Sequence, residues 1–318
     1  MPTATNQKAA INDMTAQMDS MLNASQEEYI WALQDRYGEF ENRLISDIRN
    51  IHIEAQGEGV ASQDILKQFE VDAKVTSTIK TELLRLNQDV NESLFDEMVS
   101  QYKDAYNASA WTLDQATPPD VEPDYDIPTE SYLREFLIQP WKGSMFSKRF
   151  AQINNDMAHD LQISVYQAMS SGQSAYNLGK TISGIIGTQD DGYKYQANMI
   201  ARTELMRASN LAIEKNYDDN DDIINDWVWI DTSGMRTCDD CDERGGLTYD
   251  EVKEIADGQG LDLDPPIHPH CRCRWNASVK SWNELLGKDM AGTNEKIEPK
   301  PFSNWADENL DSKDRGNL

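Results

Sequence analysis

The chain has 318 residues, room for two modest domains or one with extensions, and its 29 basic against 56 acidic residues leave a net charge of −27. Such a surface repels phosphate, and Lys and Arg form no run that offsets it, so broad binding to duplex nucleic acid is disfavoured. Hydrophobic residues are 39%, low for a globule but enough for long amphipathic helices, and no run reaches the roughly 18 apolar residues of a membrane span.

The start, Pro2 to Lys8, lacks the apolar core of a secretory signal, so folding in a cytoplasm is expected. No proline falls between Pro2 and Pro118, and apolar residues recur every three or four positions, which predicts long helices over residues 1–116. Ser25-Gln26-Glu27-Glu28 reads as a capping box, with the Ser25 hydroxyl accepting from the backbone and Glu28 reaching back. It would open a helix of about eight turns whose face carries Ile30, Leu33, Tyr37, Phe40, Leu44, Ile48 and Ile51. Gly57-Glu58-Gly59 would end this helix and Ser62-Gln63-Asp64 restart the pattern. A second stripe then runs through Ile65, Phe69, Val75, Ile79, Leu83, Leu86, Val90, Leu94 and Met98 to Tyr102 and Tyr106. Two such stripes suit a helical hairpin, or a face offered to another protein.

Residues 117–128 are rich in proline and acid and predict an extended linker. A central helical block follows over 129–217. Pro140 to Arg149 reads as a turn into a helix carrying Ile153, Met157, Leu161, Val165 and Met169. Gly172-Gln173-Ser174 breaks it, a short helix covers Tyr176 to Ile186, a Gly-bounded turn spans Gly187 to Gly192, and another helix runs from about Tyr193 to Tyr217. In that helix Arg202, Glu204 and Arg207 read as a structural ion-pair network ordering it against the domain that follows; an active acid with guanidinium partners is the other reading. Asp218 to Asp222 lacks the glycine and distal glutamate of a calcium loop and reads as a solvated helix end.

Residues 218–290 predict a small α+β domain, opening with a strand at Trp227 to Asp231. All four cysteines lie here. Arg236-Thr237-Cys238-Asp239-Asp240-Cys241 is a CxxC pair in turn-forming residues, and Pro265-Pro266-Ile267-His268-Pro269-His270-Cys271-Arg272-Cys273 returns soft donors on a proline-stiffened loop. Zn²⁺ takes four S or N ligands at roughly 2.0 to 2.3 Å in a tetrahedron, and two close pairs around a loop supply them. The expected ligands are Cys238, Cys241, Cys271 and Cys273, with His268 or His270 replacing one of the CxC sulfurs because i and i+2 thiolates on one ion are tight. Ligand softness favours structural zinc, with four-thiolate iron as the alternative metal. Two disulfides or four inert thiols are the competing readings, against which an unsecreted chain and strained local pairings count. A catalytic zinc would need an open water position and a base, whereas Asp239, Asp240, Asp242 and Glu243 read as a solvated turn. Ser281 to Leu286 predicts a last turn or two of helix, and the polar tail over 291–318 is either disordered or a docking peptide anchored by Phe302 and Trp305.

In order along the chain, Pro140-Trp141-Lys142-Gly143 with Phe146 to Arg149, the Gly172-Gln173-Ser174 break, Ala201-Arg202-Thr203-Glu204 with Arg207, Ala208 and Asn210, and above all CxxC with the following HPxCRC resemble the Mu F-like minor head proteins of tailed bacteriophages. The resemblance covers roughly residues 100 to 276. The spacing predicts a mainly α protein, and the resemblance implies a component of the virion, at the portal vertex or head interior, that is assembled in the host cytoplasm and acts in head assembly, with genome delivery as a further role. The implied partners are the portal protein, inner capsid proteins and further copies of the chain. Some relatives carry an extra enzymatic or toxin module; too few residues follow Cys273 for one, so no enzymatic activity is expected. Two other function classes stand beside this one. A metal-dependent hydrolase would use His268 or His270 with Glu204 or Asp231, and a zinc-knot nucleic-acid module would touch phosphate through Arg272 and Arg274.

Overall fold

The computed structural model describes residues 2–57, 65–187, 192–231, 237–260, 262–288 and 296–318, with the backbone alone at 65–67. The expected breaks at Gly57-Glu58-Gly59 and Ser62-Gln63-Asp64, most of the turn from Gly187 to Gly192, and Arg236 lie wholly or partly outside the described residues.

The fold is mainly helical. Helix α1 spans Ala4–Gly57 and α2 spans Ile65–Ala116. After an extended stretch come α3 (Glu130–Leu137), α4 (Phe146–Ser170), α5 (Ala175–Ile186) and α6 (Tyr193–Asp219). Strand β1 (Ile224–Ile230), the short α7 (Asp239–Asp242), α8 (Tyr249–Gln259), β2 (Arg274–Val279), α9 (Trp282–Leu286) and α10 (Phe302–Asn309) complete it. The chain forms two compact units, each assembled from separated segments: Met1–Glu27 with Glu97–Leu137 and Arg202–Leu318, and Glu28–Asp96 with Ile138–Ala201.

The second of these units is built from helices, with a turn bridged at Trp141 and Ser144 leading into α4 and a short break before α5. The α1 stripe from Ile30 to Ile48 and the α2 stripe from Val75 to Leu94 are buried, and Arg43 Nε meets Glu82 Oε2 at 2.9 Å across the antiparallel pair. On α4, Phe150, Met157, Leu161 and Val165 fill the same core, joined by Leu178, Ile182 and Ile186 of α5. Ser174 caps α5 by accepting from the Asn177 amide. Gly179 is small for a reason: a Cβ there would lie 2.2 Å from Arg49 Nη2, and Arg49 Nε donates to the Ala175 carbonyl at 2.9 Å. Phe69, expected in the stripe, is 67% exposed. It stands near the end of α1, where the Lys74–Glu54 pair marks the last turns of the hairpin and the partner stripe has run out.

The other unit joins the first half of α1, the end of α2 and everything from Arg202 onward. Here the expected capping box is overturned: Ser25 lies inside α1, and its hydroxyl donates to Glu97 Oε1 at 3.4 Å. The helix extends N-terminally because Met14, Met18 and Leu22 continue its buried stripe, and that burial outweighs a local start signal. Strands β1 and β2 pair antiparallel, with Trp229 opposite Trp275 and Ile230 opposite Arg274. A two-stranded ribbon alone is marginal. This one is held by Trp229 and Trp275, both fully buried with rings perpendicular at 5.1 Å, and by a Thr15–Asn276 side-chain bond of 3.0 Å from α1. Residues 117–128 are extended as expected, but not free. Asp124 exchanges bonds with the Asn220 side chain at 2.7 and 3.0 Å, and the Asp126 amide donates to the Tyr106 hydroxyl.

The tail docks on its own chain. Phe302 and Trp305 of α10 are buried, Trp305 Nε1 donates to Asp114 Oδ2 at 2.9 Å, and Trp111 Nε1 donates to the Lys300 carbonyl at 2.8 Å. Asp104 then accepts the amides of Asn317 and Leu318 at 2.9 and 3.1 Å.

Candidate metal centre

Cys238 stands at the N-cap of α7 and Cys241 three residues on, so a single turn, closed by the Cys241 and Asp242 amides on the Cys238 carbonyl, aims both sulfurs one way. The second loop makes an equivalent turn. The Cys271 amide donates to the His268 carbonyl at 3.1 Å and His270 adopts a left-handed φ of 63°, which brings His268 and Cys271 to one side. Cys273 follows at the entrance to β2.

These turns meet. Cys238 Sγ and Cys241 Sγ lie 3.1 and 3.2 Å from His268 Nε2, and Cys241 Sγ lies 3.9 Å from Cys271 Sγ. The donor atoms of Cys238, Cys241 and His268 lie within 4.8 Å of one another, as do those of Cys241, Cys271 and Cys273, with Cys241 common to both groups. The edge of a tetrahedron of sulfurs about 2.3 Å from a central ion is about 3.8 Å, so the spacing suits one ion among these donors. All four cysteines are free thiols rather than disulfides.

The electrostatics point the same way. Cys241, Cys271 and Cys273 are 3%, 1% and 2% exposed. Cys271 is held far below the ordinary thiol range because the Cys241 and Cys273 sulfurs lie against it, and Cys241, sharing a proton with Cys271, is pushed up. Three buried sulfurs this close cannot all ionise against one another without a cation, and a metal ion would supply it. The cluster could therefore hold a metal, and the donor chemistry fits a soft or borderline one.

His270 lies outside both groups. Its amide donates to Thr203 Oγ1 at 3.2 Å, and burial lowers its imidazole pKa, with Arg202 and Arg272 adding to the effect. Helix α6 holds the knot from this side: Asn210 Nδ2 also donates to the Cys273 carbonyl at 3.1 Å. Both Thr203 and Asn210 lie in segments that sequence reading singled out, yet their role was not legible there, since nothing local marks which backbone group a hydroxyl or amide will meet.

The three expected network residues separate into two sets. Arg202 forms a bidentate pair with Glu27 of α1 at 2.6 and 2.7 Å, and its guanidinium holds Glu27 below the usual carboxylate range. Arg207 pairs with Glu204 at 3.2 Å and donates to the Leu137 carbonyl at 3.0 Å, with Glu204 fully buried. Arg274, expected as a possible phosphate contact, is 5% exposed and pairs with Asp19, so it offers no phosphate-binding surface; Arg272 is exposed. Asp239, Asp240, Asp242 and Glu243 are exposed, as a solvated turn requires.

Among the described residues, no helix is long and apolar enough to cross a membrane. Compared with known proteins, the chain matches no curated protein and no solved structure. Its residues 159–276 do match the model of the family described as Phage Mu protein F like protein, and that stretch holds α6, β1, the start of β2 and every donor of the Cys/His cluster, so over it the chain is similar to Mu F-like phage proteins.

Proposed function

We propose that this chain is a phage head morphogenesis protein that acts as a structural component of the virion rather than as an enzyme. The observation that carries the reading is the Mu F-like match over residues 159–276, which takes in the Cys/His knot and the helix that holds it. In this reading the knot binds one structural zinc through Cys241, Cys271 and two of the remaining donors Cys238, His268 and Cys273. Metal stands in for the large apolar core that so small a β-ribbon lacks. The burial of Cys241, Cys271 and Cys273 and the engagement of Glu204 by Arg207 support a closed site without a water-activating base. Helices α1 and α2 serve as assembly elements that meet the portal protein or inner capsid proteins, and the protein sits at the portal vertex or head interior.

Mass spectrometry of purified heads and virions of the encoding phage tests the role: the chain is expected in both, and its absence from both would refute it. Elemental analysis of the purified chain tests the site, with about one zinc per chain expected. Cys241→Ser should lower metal content and loosen the knot while far-UV helicity is largely kept; full metal and unchanged melting would count against this ligand assignment.

A further inference from the structure

His268, Cys271 and Cys273 lie on one loop, which orients them by different means. His268 is set from within: its Nδ1–H donates to the Pro269 carbonyl at 2.7 Å, leaving Nε2 to face Cys238 and Cys241. Cys271 is set partly from outside. Its sulfur accepts the amides of Ile267 and Cys273, and the backbone on either side of it is bound by α6. The His270 amide donates to Thr203 Oγ1 at 3.2 Å, and the Cys273 carbonyl accepts from Asn210 Nδ2 at 3.1 Å.

Thr203 and Asn210 stand seven residues apart on α6, two turns and about 10.5 Å along one face, so a single helix face makes both contacts. Each is 1% exposed. Asn210 Oδ1 is buried with no hydrogen-bond partner among the described residues, a penalty that an apolar side chain of similar size would not carry. The use of an amide at this position therefore lies in its Nδ2 bond to the loop. The loop does not reach its shape unaided: His270 takes a left-handed φ of 63°, a conformation that a side chain disfavours.

We propose that Thr203 and Asn210 are positioning residues of the metal centre: from α6 they fix the backbone on both sides of Cys271, so that its sulfur stands in place before an ion arrives. Neither is a ligand, since both bonds go to loop backbone. The inference rests on the reading of the knot as a zinc site. It also gives the helical segment from Ala201 to Asn210 a reason to accompany the cysteines, because two turns of helix supply the support that the loop lacks.

The test uses the full chain, with zinc affinity measured by competition against a chromophoric chelator and Co²⁺ substituted for zinc so that visible absorption reports the ligand geometry. Thr203→Val and Asn210→Leu, each close in shape to the residue replaced, should each weaken zinc binding about 10- to 100-fold and alter the Co²⁺ spectrum. Thr203→Ser, which keeps the hydroxyl, should bind zinc as the wild type does. Ser209→Ala controls for general loss of α6 packing: the Ser209 hydroxyl is likewise buried but accepts from Gln101 of α2, so zinc affinity should not change. Wild-type affinity and an unchanged Co²⁺ spectrum in Thr203→Val and Asn210→Leu would overturn the proposal, as would equal weakening by Ser209→Ala. Where circular dichroism shows that one substitution unfolds the chain, the other decides. A wild-type chain that takes up no zinc would defeat the zinc reading itself and this inference with it, whereas normal zinc uptake with unaffected variants defeats this inference alone.

Discussion

Cys241 is the one donor common to both groups of the knot, so its replacement by serine should do what replacement of Cys273 does not. Five donors converge where a tetrahedral ion takes four. With Cys273→Ser, the close trio of Cys238, Cys241 and His268 stays, with Cys271 Sγ 3.9 Å from Cys241 Sγ; with Cys241→Ser, neither close trio survives. Zinc at a hundredfold excess over its dissociation constant stabilises a folded site by about 2.7 kcal/mol, and at a thousandfold excess by about 4.1 kcal/mol. Cys241→Ser should forfeit a stabilisation of that size, and Cys273→Ser only a small part of it. The assay is zinc content by mass spectrometry, paired with chemical unfolding followed in the near-ultraviolet, where Trp229 and Trp275 beside the knot report. Cys241→Ser protein that holds one zinc and unfolds at the wild-type denaturant concentration would refute the reasoning. So would equal loss in the two variants, since that would mean Cys273 is as indispensable as Cys241.

Arg207→Met alone should destabilise by about 3–5 kcal/mol, because it removes the guanidinium that offsets the buried Glu204 carboxylate, while Glu204→Gln/Arg207→Met should recover much of that loss in a double-mutant cycle by denaturant melting. Leu44→Ala, at a fully buried position of α1, should cost about 2–5 kcal/mol, whereas Phe69→Ala on the exposed face of α2 should change stability by less than about 0.5 kcal/mol. Burial raises the Asp104 carboxyl to about 6 from an ordinary value of 3.8. The folded state then binds this proton more tightly than the unfolded one, so its contribution is fully present below about pH 3.8 and is lost as pH rises through about 6. Denaturant unfolding should accordingly show this contribution weakening from pH 5 to pH 7, a trend that Asp104→Asn removes. Gly316→Ala should release the tail at either pH, because a Cβ there would lie 2.2 Å from Asp104 Oδ1.

What the sequence by itself determined is what periodicity and ligand chemistry encode. The stripes of α1 and α2, the glycine break before α5, the strand at Trp227 and the donors of the knot all follow from local spacing, because a helix face, a turn and a soft ligand are each specified within a few residues. Helix α3 and strand β2 were not read there: α3 is two turns long, and β2 is a strand only because β1 lies beside it. Partner choice was likewise decided by tertiary structure. Arg202 had a neighbouring carboxylate in Glu204 yet pairs with Glu27, brought to it from α1, and Ser25 lost its cap role to a helix whose burial continues through Met18 and Leu22. Phe302 and Trp305 could be recognised as anchors, but only the packed chain provides Trp111 and Asp114 to receive them. Side-chain pairing across long separations depends on which faces pack together, and that is a property of the assembled core rather than of any window of sequence.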